Sequence, residues 1–105
     1  MDKLYYSIGE TADILGENVS AVRFWSNSFE RFVKPRRNAK GNRLFTAEDI
    51  ETLKQIKFLI KSCGMTLDGA SRKLIEDRKS VEDRVKVVET LKRIRKELLA
   101  VKAAL

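Results

Sequence analysis

The sequence predicts a mainly α-helical protein that contains a two-stranded β-hairpin and ends in a long helix of the coiled-coil type. Helix-capping residues stand before several segments of helical periodicity, and one strongly basic segment with a glycine-containing turn interrupts them. The final segment carries apolar residues at a heptad spacing. We therefore expect one small domain over residues 1–78 and an extended helix over residues 79–105.

The charge of the chain favours an acidic partner, and nucleic acid is the first candidate. The 105 residues include 22 Lys and Arg against 15 Asp and Glu, which gives a net charge of +7. The sequence contains no long apolar run and no signal-peptide pattern, so we expect no membrane partner. One cysteine and no histidine exclude an intrachain disulfide framework and a histidine-dependent metal site. This composition fits a reducing, cytoplasmic setting.

Catalysis is not expected, and neither is a bound metal or a cofactor. A catalytic triad that depends on histidine is impossible in this sequence. Acidic residues such as Asp13, Glu48 and Asp49 lie at helix caps or exposed helix starts, where stabilisation by the helix dipole explains them. The composition therefore indicates a binding protein and not an enzyme.

The first two predicted helices are joined by a tight turn. Ser7 and Glu10 form a Ser-x-x-Glu capping box that begins a short helix, and Gly16 ends it. Asn18 is a suitable N-cap for a second helix, which we expect to extend to Phe29. Two short helices with a glycine-containing turn are typical of a helix-turn-helix motif, although αα-hairpins in general share the pattern.

The second helix has an apolar side and a polar side. At about 100° per residue, Val22, Trp25 and Phe29 lie on one side and are expected in the core. The opposite side offers groups that read and grip nucleic acid, since Arg pairs with guanine, Asn pairs with adenine and Ser binds phosphate. The candidate DNA-binding residues of this helix are Asn18, Ser20, Arg23, Phe24 and Asn27. The alternative is a surface helix with ordinary polar residues.

The segment after the second helix predicts a basic β-hairpin. Apolar pairs at positions 32–33 and 44–45 flank it, Asn38–Gly41 supplies the turn, and Pro35 suits an edge strand. Six positive residues and no acid lie between positions 31 and 43, and their mutual repulsion favours an anionic partner. The candidate DNA-binding residues of the hairpin are Arg36, Arg37, Lys40, Asn42 and Arg43. The alternative is a disordered loop that is merely solvated.

Two further helices are expected after the hairpin. Thr46 caps a third helix that should end near Cys63, before Gly64. The apolar face of this helix should form most of the core: Ile50, Leu53, Ile56, Leu59 and Ile60. Thr66 caps a short fourth helix through about Asp77, on which Leu67, Ala70 and Leu74 should face inward.

No residue breaks the helical pattern from Ser80 to Leu105. The apolar residues of this last helix are spaced alternately four and three apart, as in the a/d positions of a coiled coil: Val87, Leu91, Ile94, Leu98, Val101 and Leu105. A helix of this length is about 37 Å long and cannot bury its own apolar stripe. We therefore expect these residues to form a homodimer interface.

Four motifs together resemble the MerR family of bacterial transcription regulators. They are Tyr6-Ser-Ile-Gly-Glu10, Val22-Arg-Phe-Trp25, Lys40-Gly-Asn-Arg-Leu-Phe-Thr46 and Gly64-Met-Thr-Leu67. The resemblance covers about residues 5–77, and the last helix lies where that family has its dimerisation helix. The paired tyrosines of the family pattern are Phe24 and Trp25 here, so Phe24 has no hydroxyl group to offer a phosphate.

The resemblance implies a winged helix-turn-helix domain and an antiparallel coiled-coil dimer that binds a pseudo-palindromic promoter site on double-stranded DNA. It places Arg23 and Phe24 in the recognition helix and Arg43 in the wing. Typical members distort the promoter spacer so that RNA polymerase, which would be a further partner, can use it. Because the sequence ends with the last helix, we expect no effector-binding domain.

Two other functions are compatible with the same residues. One is an excisionase-like accessory protein that bends DNA for recombination; footprints beside an attachment site, without any effect on transcription, would favour it. The other is a protein-interaction module in which the coiled coil recruits a partner and the basic hairpin only aids solubility. Absence of salt-dependent DNA binding would favour this module.

Overall fold

The computed structural model describes residues 3–105 and is mainly α-helical, as the sequence predicts. In chain order, the elements are β1 (Tyr6–Ser7), α1 (Ile8–Leu15), α2 (Val19–Ser28), β2 (Arg36–Arg37), β3 (Arg43–Phe45), α3 (Ala47–Lys57), a π-helical segment (Phe58–Ser62) and α4 (Leu67–Ala104). The chain divides into two compact units between Ser71 and Arg72. Within residues 3–105, no helix is both long enough and apolar enough to cross a membrane.

The predicted helix-turn-helix motif is present, with the expected caps. The Ser7 hydroxyl accepts a hydrogen bond from the Glu10 amide at 3.1 Å, and the Glu10 carboxylate accepts one from the Ser7 amide at 3.0 Å. The hydrogen-bonded ion pair with Lys3, together with this capping box, lowers the pKa of Glu10 to about 2. Gly16 ends α1 in the left-handed conformation (φ 68°), and Asn18 caps α2.

The sheet has three strands rather than the two that the sequence predicts. β3 lies in the centre and pairs antiparallel with β2 on one side and β1 on the other. Of the two apolar pairs predicted to flank the hairpin, residues 44–45 lie within β3, whereas Phe32 and Val33 precede β2 and lie outside the sheet. The extra strand pairs Tyr6 with Phe45, so that the start of α1 is fixed next to the base of the hairpin.

The third helix begins at a second capping box, between Thr46 and Asp49. It does not continue as an α-helix to Cys63: after Lys57 the backbone changes to a π-helical turn, in which the Cys63 amide donates to the Phe58 carbonyl at 3.0 Å. Gly64 (φ 66°) then ends the helical run at the predicted place. Sequence periodicity does not reveal the inserted residue of a π-helical turn.

The apolar core of the first unit includes the residues that the sequence placed on the inner side of α2. Val22, Trp25 and Phe29 are buried, and they contribute to the core together with Tyr6, Ala12, Leu15, Val33, Phe45, Ile50, Leu53, Ile56, Leu59 and Ala70. Trp25 is therefore a packing residue and does not belong to the exposed face of α2. Ile60 is only half-buried.

The helical run α4 comprises both the predicted fourth helix and the predicted coiled-coil helix. Thr66 caps it, as expected, and Leu67 is exposed rather than turned inward. A single residue with non-helical geometry, Asp77 (φ −150°, ψ 48°), interrupts the helix close to the predicted break. Two helices therefore meet at Asp77, where the predicted fourth helix ends, and the second begins there and not at Ser80.

The apolar stripe predicted on the last helix is exposed along its whole length. We call this stripe the α4 seam; its members are Val87, Leu91, Ile94, Leu98, Val101 and Leu105. Each is at least 43% exposed, and the neighbouring Leu99 is 56% exposed. Exposed apolar residues at regular spacing along one helix are typical of a surface that another helix covers.

Candidate nucleic-acid interface

The outer side of α2 carries the side chains that the sequence singled out. Ser20, Arg23 and Asn27 are exposed, and Phe24 is 54% exposed. Asn18 caps the helix, because its side-chain oxygen accepts a hydrogen bond from the Ala21 amide at 2.7 Å. The predicted division of α2 into a buried side and an exposed polar side is therefore present.

The turn of the β2–β3 hairpin, which we call the wing, is organised by Asn38. Its side-chain oxygen accepts hydrogen bonds from the amides of Lys40 and Asn42, both at 3.0 Å. Gly41 occupies the left-handed region (φ 80°), where a residue with a side chain would be strained. The Arg37 guanidinium donates to the Gly41 carbonyl at 2.8 Å and lies along the same turn. The wing is consequently an ordered turn and not a solvated loop.

The base of the wing is attached to the start of α3. The Asp49 carboxylate completes the α3 capping box and also accepts a hydrogen bond from the Lys34 amide at 3.4 Å. Because Asp49 is 8% exposed, solvent competes little for these bonds. The acid that the sequence explained as a helix cap therefore also positions the entry to the wing.

Arg43 connects the wing directly to α2. Its Nη2 atom donates to the Asn27 side-chain oxygen at 2.7 Å, and its Nη1 atom lies 3.5 Å from the Arg23 carbonyl oxygen. The side chain is half-buried as a result. Arg43 thus fixes the distance between the two predicted DNA-binding elements, a role that its place in the sequence did not reveal.

A groove of about 470 Å³ lies next to the wing. The N-terminal end of α1 and the exposed side of α2 form its other borders. Its lining includes three arginines, Arg23, Arg37 and Arg43, and also Ser7, Ile8, Asn38, Gly41, Asn42 and Leu44. Among residues 3–105, no acidic residue is part of this lining. A groove walled by guanidinium groups and backbone turns can hold phosphate oxygens.

The electrostatics of the groove show that its cations repel one another. Burial lowers the pKa of Arg43 from its ordinary value, and the neighbouring charges of Arg37 and Arg23 lower it further, while Glu30 opposes the shift. Arg43 stays protonated, because an arginine does not lose its proton in proteins. Bringing an anion into the groove would relieve this repulsion, so the unbound arrangement favours anion binding.

The structure brings only some of the predicted residues together. Arg23, Arg37, Asn42 and Arg43 share the groove, whereas Ser20 and Phe24 lie exposed elsewhere on α2. Arg36 and Lys40 are exposed on the wing; Arg36 lies 6.0 Å from the centre of the Tyr5 ring. Sequence reasoning missed Ser7 and Asn38 as lining residues. The Asn-Ala-Lys-Gly pattern signals an Asx turn at Asn38, but no sequence signal places Ser7 beside the wing.

An ion-pair cluster holds the turn between α1 and α2 against the end of α3. The Glu17 side chain is 8% exposed and lies 2.7 Å from Lys61 and 3.5 Å from Lys57. The Lys61 hydrogen bond and the two positive charges lower the pKa of Glu17 from its ordinary value. Lys57 also donates to the Leu15 carbonyl, at the C-terminal end of α1. The cluster therefore orients α2, because Glu17 lies immediately before its cap.

A helix-turn-helix motif with an antiparallel hairpin beside its second helix defines the class of winged helix-turn-helix proteins. Within this class, the model of the MerR helix-turn-helix family of regulatory proteins matches residues 6–76. The chain therefore belongs to the MerR family, whose members are DNA-binding transcription regulators and not enzymes.

Individual relatives agree with this assignment. The chain is 32% identical over 91 residues to the regulator protein TubY of Clostridium botulinum C phage. That match covers 86% of this chain but 38% of TubY, so the chain spans well under half the length of this relative.

The fold is shared with solved MerR structures. HiNmlR, a MerR family regulator lacking the sensor domain and solved bound to promoter DNA, matches with a TM-score of 0.57 and 25% identity, over 95% of this chain and 88% of that one. A MerR family regulator from Bacillus cereus matches with a TM-score of 0.58 at 21% identity, over 92% of this chain and 76% of that one. The latter likeness concerns the fold alone.

Proposed function

We propose that this chain regulates transcription by binding a pseudo-palindromic promoter site as a homodimer. The observation that carries the proposal is the groove between α2 and the wing, which three arginines line. In this arrangement α2 enters the major groove, and the wing arginines neutralise backbone phosphates beside it. HiNmlR, which shares the fold over nearly the whole chain, was solved bound to promoter DNA.

The α4 seam supplies the second part of the proposal. Six apolar residues at heptad spacing stay exposed in one chain, and a second copy of the same helix offers the matching stripe. Two copies joined in this way would present two α2 helices to one duplex. Half-sites of helix-turn-helix dimers lie about 34–36 Å apart, and the predicted seam helix is about 37 Å long. We assign DNA binding to residues 1–78 and dimerisation to residues 79–105.

The proposal also fixes where the protein acts. A promoter-binding regulator of a bacterial family works in the cytoplasm, on double-stranded DNA, and RNA polymerase at the same promoter is its expected further partner. Among residues 3–105, no group of three or more cysteine or acidic side chains could hold a metal ion. The proposed DNA binding requires no metal.

Selection of bound DNA from a random pool of duplexes at near-physiological salt tests the proposal. We expect enrichment of a two-fold symmetric motif. A selected pool without any motif, or a failure to retain duplexes at low salt, would remove the proposed function. A symmetric motif whose removal from a promoter leaves transcription unchanged would instead favour an architectural role.

A further inference from the structure

The hydrogen bond between Arg43 and Asn27 determines which atoms of the Asn27 amide remain available to a ligand. A guanidinium group has only donors, so the Asn27 atom that faces Arg43 Nη2 at 2.7 Å must be the oxygen Oδ1. The amide nitrogen Nδ2 is then the other terminal atom. In the part of the chain that the structure describes, nothing accepts a hydrogen bond from Nδ2, and the residue is exposed.

An asparagine that reads adenine needs both of its amide atoms. The oxygen accepts from the adenine N6 amino group, while the nitrogen donates to N7. The Asn27 oxygen keeps a second lone pair, but the adenine amino group would have to approach it beside the Arg43 guanidinium, and two groups of N–H donors repel each other. Guanine requires no such oxygen, because its major-groove edge presents two acceptors, O6 and N7, to the free NH₂ group, whereas adenine presents only N7 beside its amino donor. The usual pairing of asparagine with adenine, which the sequence alone suggests, is therefore disfavoured here.

We propose that Arg43 is a positioning residue that fixes the Asn27 amide with its NH₂ group free, so that α2 prefers guanine over adenine at the base that Asn27 meets. This inference rests on the proposed function and names a specificity of the same site. It also separates Arg43 from Arg37: Arg37 donates a hydrogen bond to the wing backbone at Gly41, whereas Arg43 acts through a side chain of α2.

The first test replaces Asn27 by a side chain of equal size and opposite hydrogen-bonding character. Asn27→Asp keeps an oxygen for Arg43 but presents an acceptor in place of the NH₂ group. Random duplex pools are selected with wild type and with this variant, and every single-base change of the wild-type motif is then measured by fluorescence polarisation. We expect wild type to prefer guanine over adenine by about tenfold at one position in each half-site. In the variant, the preference at that position should move to cytosine or adenine, which present amino donors.

The second test loosens the amide without changing the net charge. Arg43→Lys keeps the positive charge but loses the planar arrangement of donors. We expect the adenine penalty at the same position to fall to about threefold or less, because a free amide can rotate to pair with adenine. The salt dependence of binding should stay unchanged. The matched control, Arg37→Lys, should keep the tenfold preference, since Arg37 does not contact Asn27. Circular dichroism and sedimentation of each variant verify folding and assembly.

Three results would overturn the inference. If Asn27→Asp leaves the preference at every position unchanged, the amide does not read a base. If the position sensitive to this variant favours adenine in wild type, the oxygen and not the NH₂ group faces the base. If Arg43→Lys retains the full guanine preference, Arg43 does not fix the amide. Failure of the proposed function is distinguishable from all three, because wild type would then enrich no motif at all, and the inference would fall with it.

Discussion

Two exposed surfaces of this chain differ in how firmly their side chains are already held. On the cationic surface, which consists of the outer side of α2 and the wing, Arg37 and Arg43 donate hydrogen bonds within the protein before any ligand arrives. The α4 seam consists of apolar side chains that are 43% to 101% exposed. Fixed donors discriminate between ligands by direction, whereas apolar burial has no direction and scales with area. The first surface is therefore suited to reading a sequence, and the second to joining helices.

The largest effect is expected from a polar substitution in the α4 seam. Leu98→Gln removes apolar area from both copies of the interface and buries an amide in its place. The loss of about 1.5–3 kcal/mol per leucine should weaken dimerisation by roughly 100-fold or more. Sedimentation equilibrium at micromolar concentration measures it, and binding to a two-fold symmetric duplex should weaken in parallel.

A control with the same new side chain separates the seam from the rest of the helix. Lys96→Gln lies two residues away on the exposed helix and outside the stripe. It should leave dimerisation unchanged within about twofold, because no apolar area is lost. Equal weakening by both variants would mean that the seam is not the contact surface.

On the cationic surface, Arg23→Ala is expected to abolish discrimination between sites. An arginine in the major groove contributes about 1–3 kcal/mol of preference for its base. Affinity for the selected duplex should fall by this amount, while affinity for unrelated duplexes should change much less. Competition binding with selected and scrambled duplexes measures both. Unchanged discrimination would show that this side of α2 does not read bases.

The Glu17 cluster predicts a dependence on pH that the seam does not share. Glu17→Gln removes the buried partner of Lys61 and should lower the free energy of unfolding by about 1–2 kcal/mol at pH 7. Because the folded-state pKa of Glu17 lies below its ordinary value of 4.5, the stabilisation is complete above that value and is lost as the pH falls through the folded-state pKa. Urea denaturation at a series of pH values should show the two proteins converging in acid. A constant difference across the series would contradict this.

The smallest effect is expected for Arg37, which we propose contacts a backbone phosphate. Arg37→Ala should weaken binding to all duplexes alike and reduce the slope of log affinity against log salt by about one for each chain bound. The control is Arg93→Ala, which removes the same charge from an exposed position on α4. It should leave the slope nearly unchanged, since that position lies outside the cationic surface.

The sequence predicted most of what depends on neighbouring residues. The caps at Ser7, Asn18 and Thr46 and the left-handed Gly16 follow from local chemistry, because each satisfies backbone groups within one turn. The burial of Trp25 followed from helical periodicity alone. Such features need no knowledge of the tertiary structure.

What the sequence could not provide are the contacts between distant positions. Strand β1 is two residues long, which is too short to show the alternation of apolar and polar residues that indicates a strand. Its pairing with β3 was therefore missed. Glu17 meets Lys61 across 44 positions and Arg43 meets Asn27 across 16. A single sequence does not reveal which charged or polar residues pair over such distances along the chain. Arg43 was accordingly predicted as a simple wing contact, and its bond to Asn27 emerged only from the structure.

The most direct test of the whole account is the mass of the complex that the full chain forms on a duplex carrying the selected motif. Native mass spectrometry at saturating protein should give two chains for each duplex, and the Leu98→Gln protein should give mostly unbound duplex at the same concentration. One chain per duplex for the wild type would contradict the claim that two cationic surfaces act together through the α4 seam.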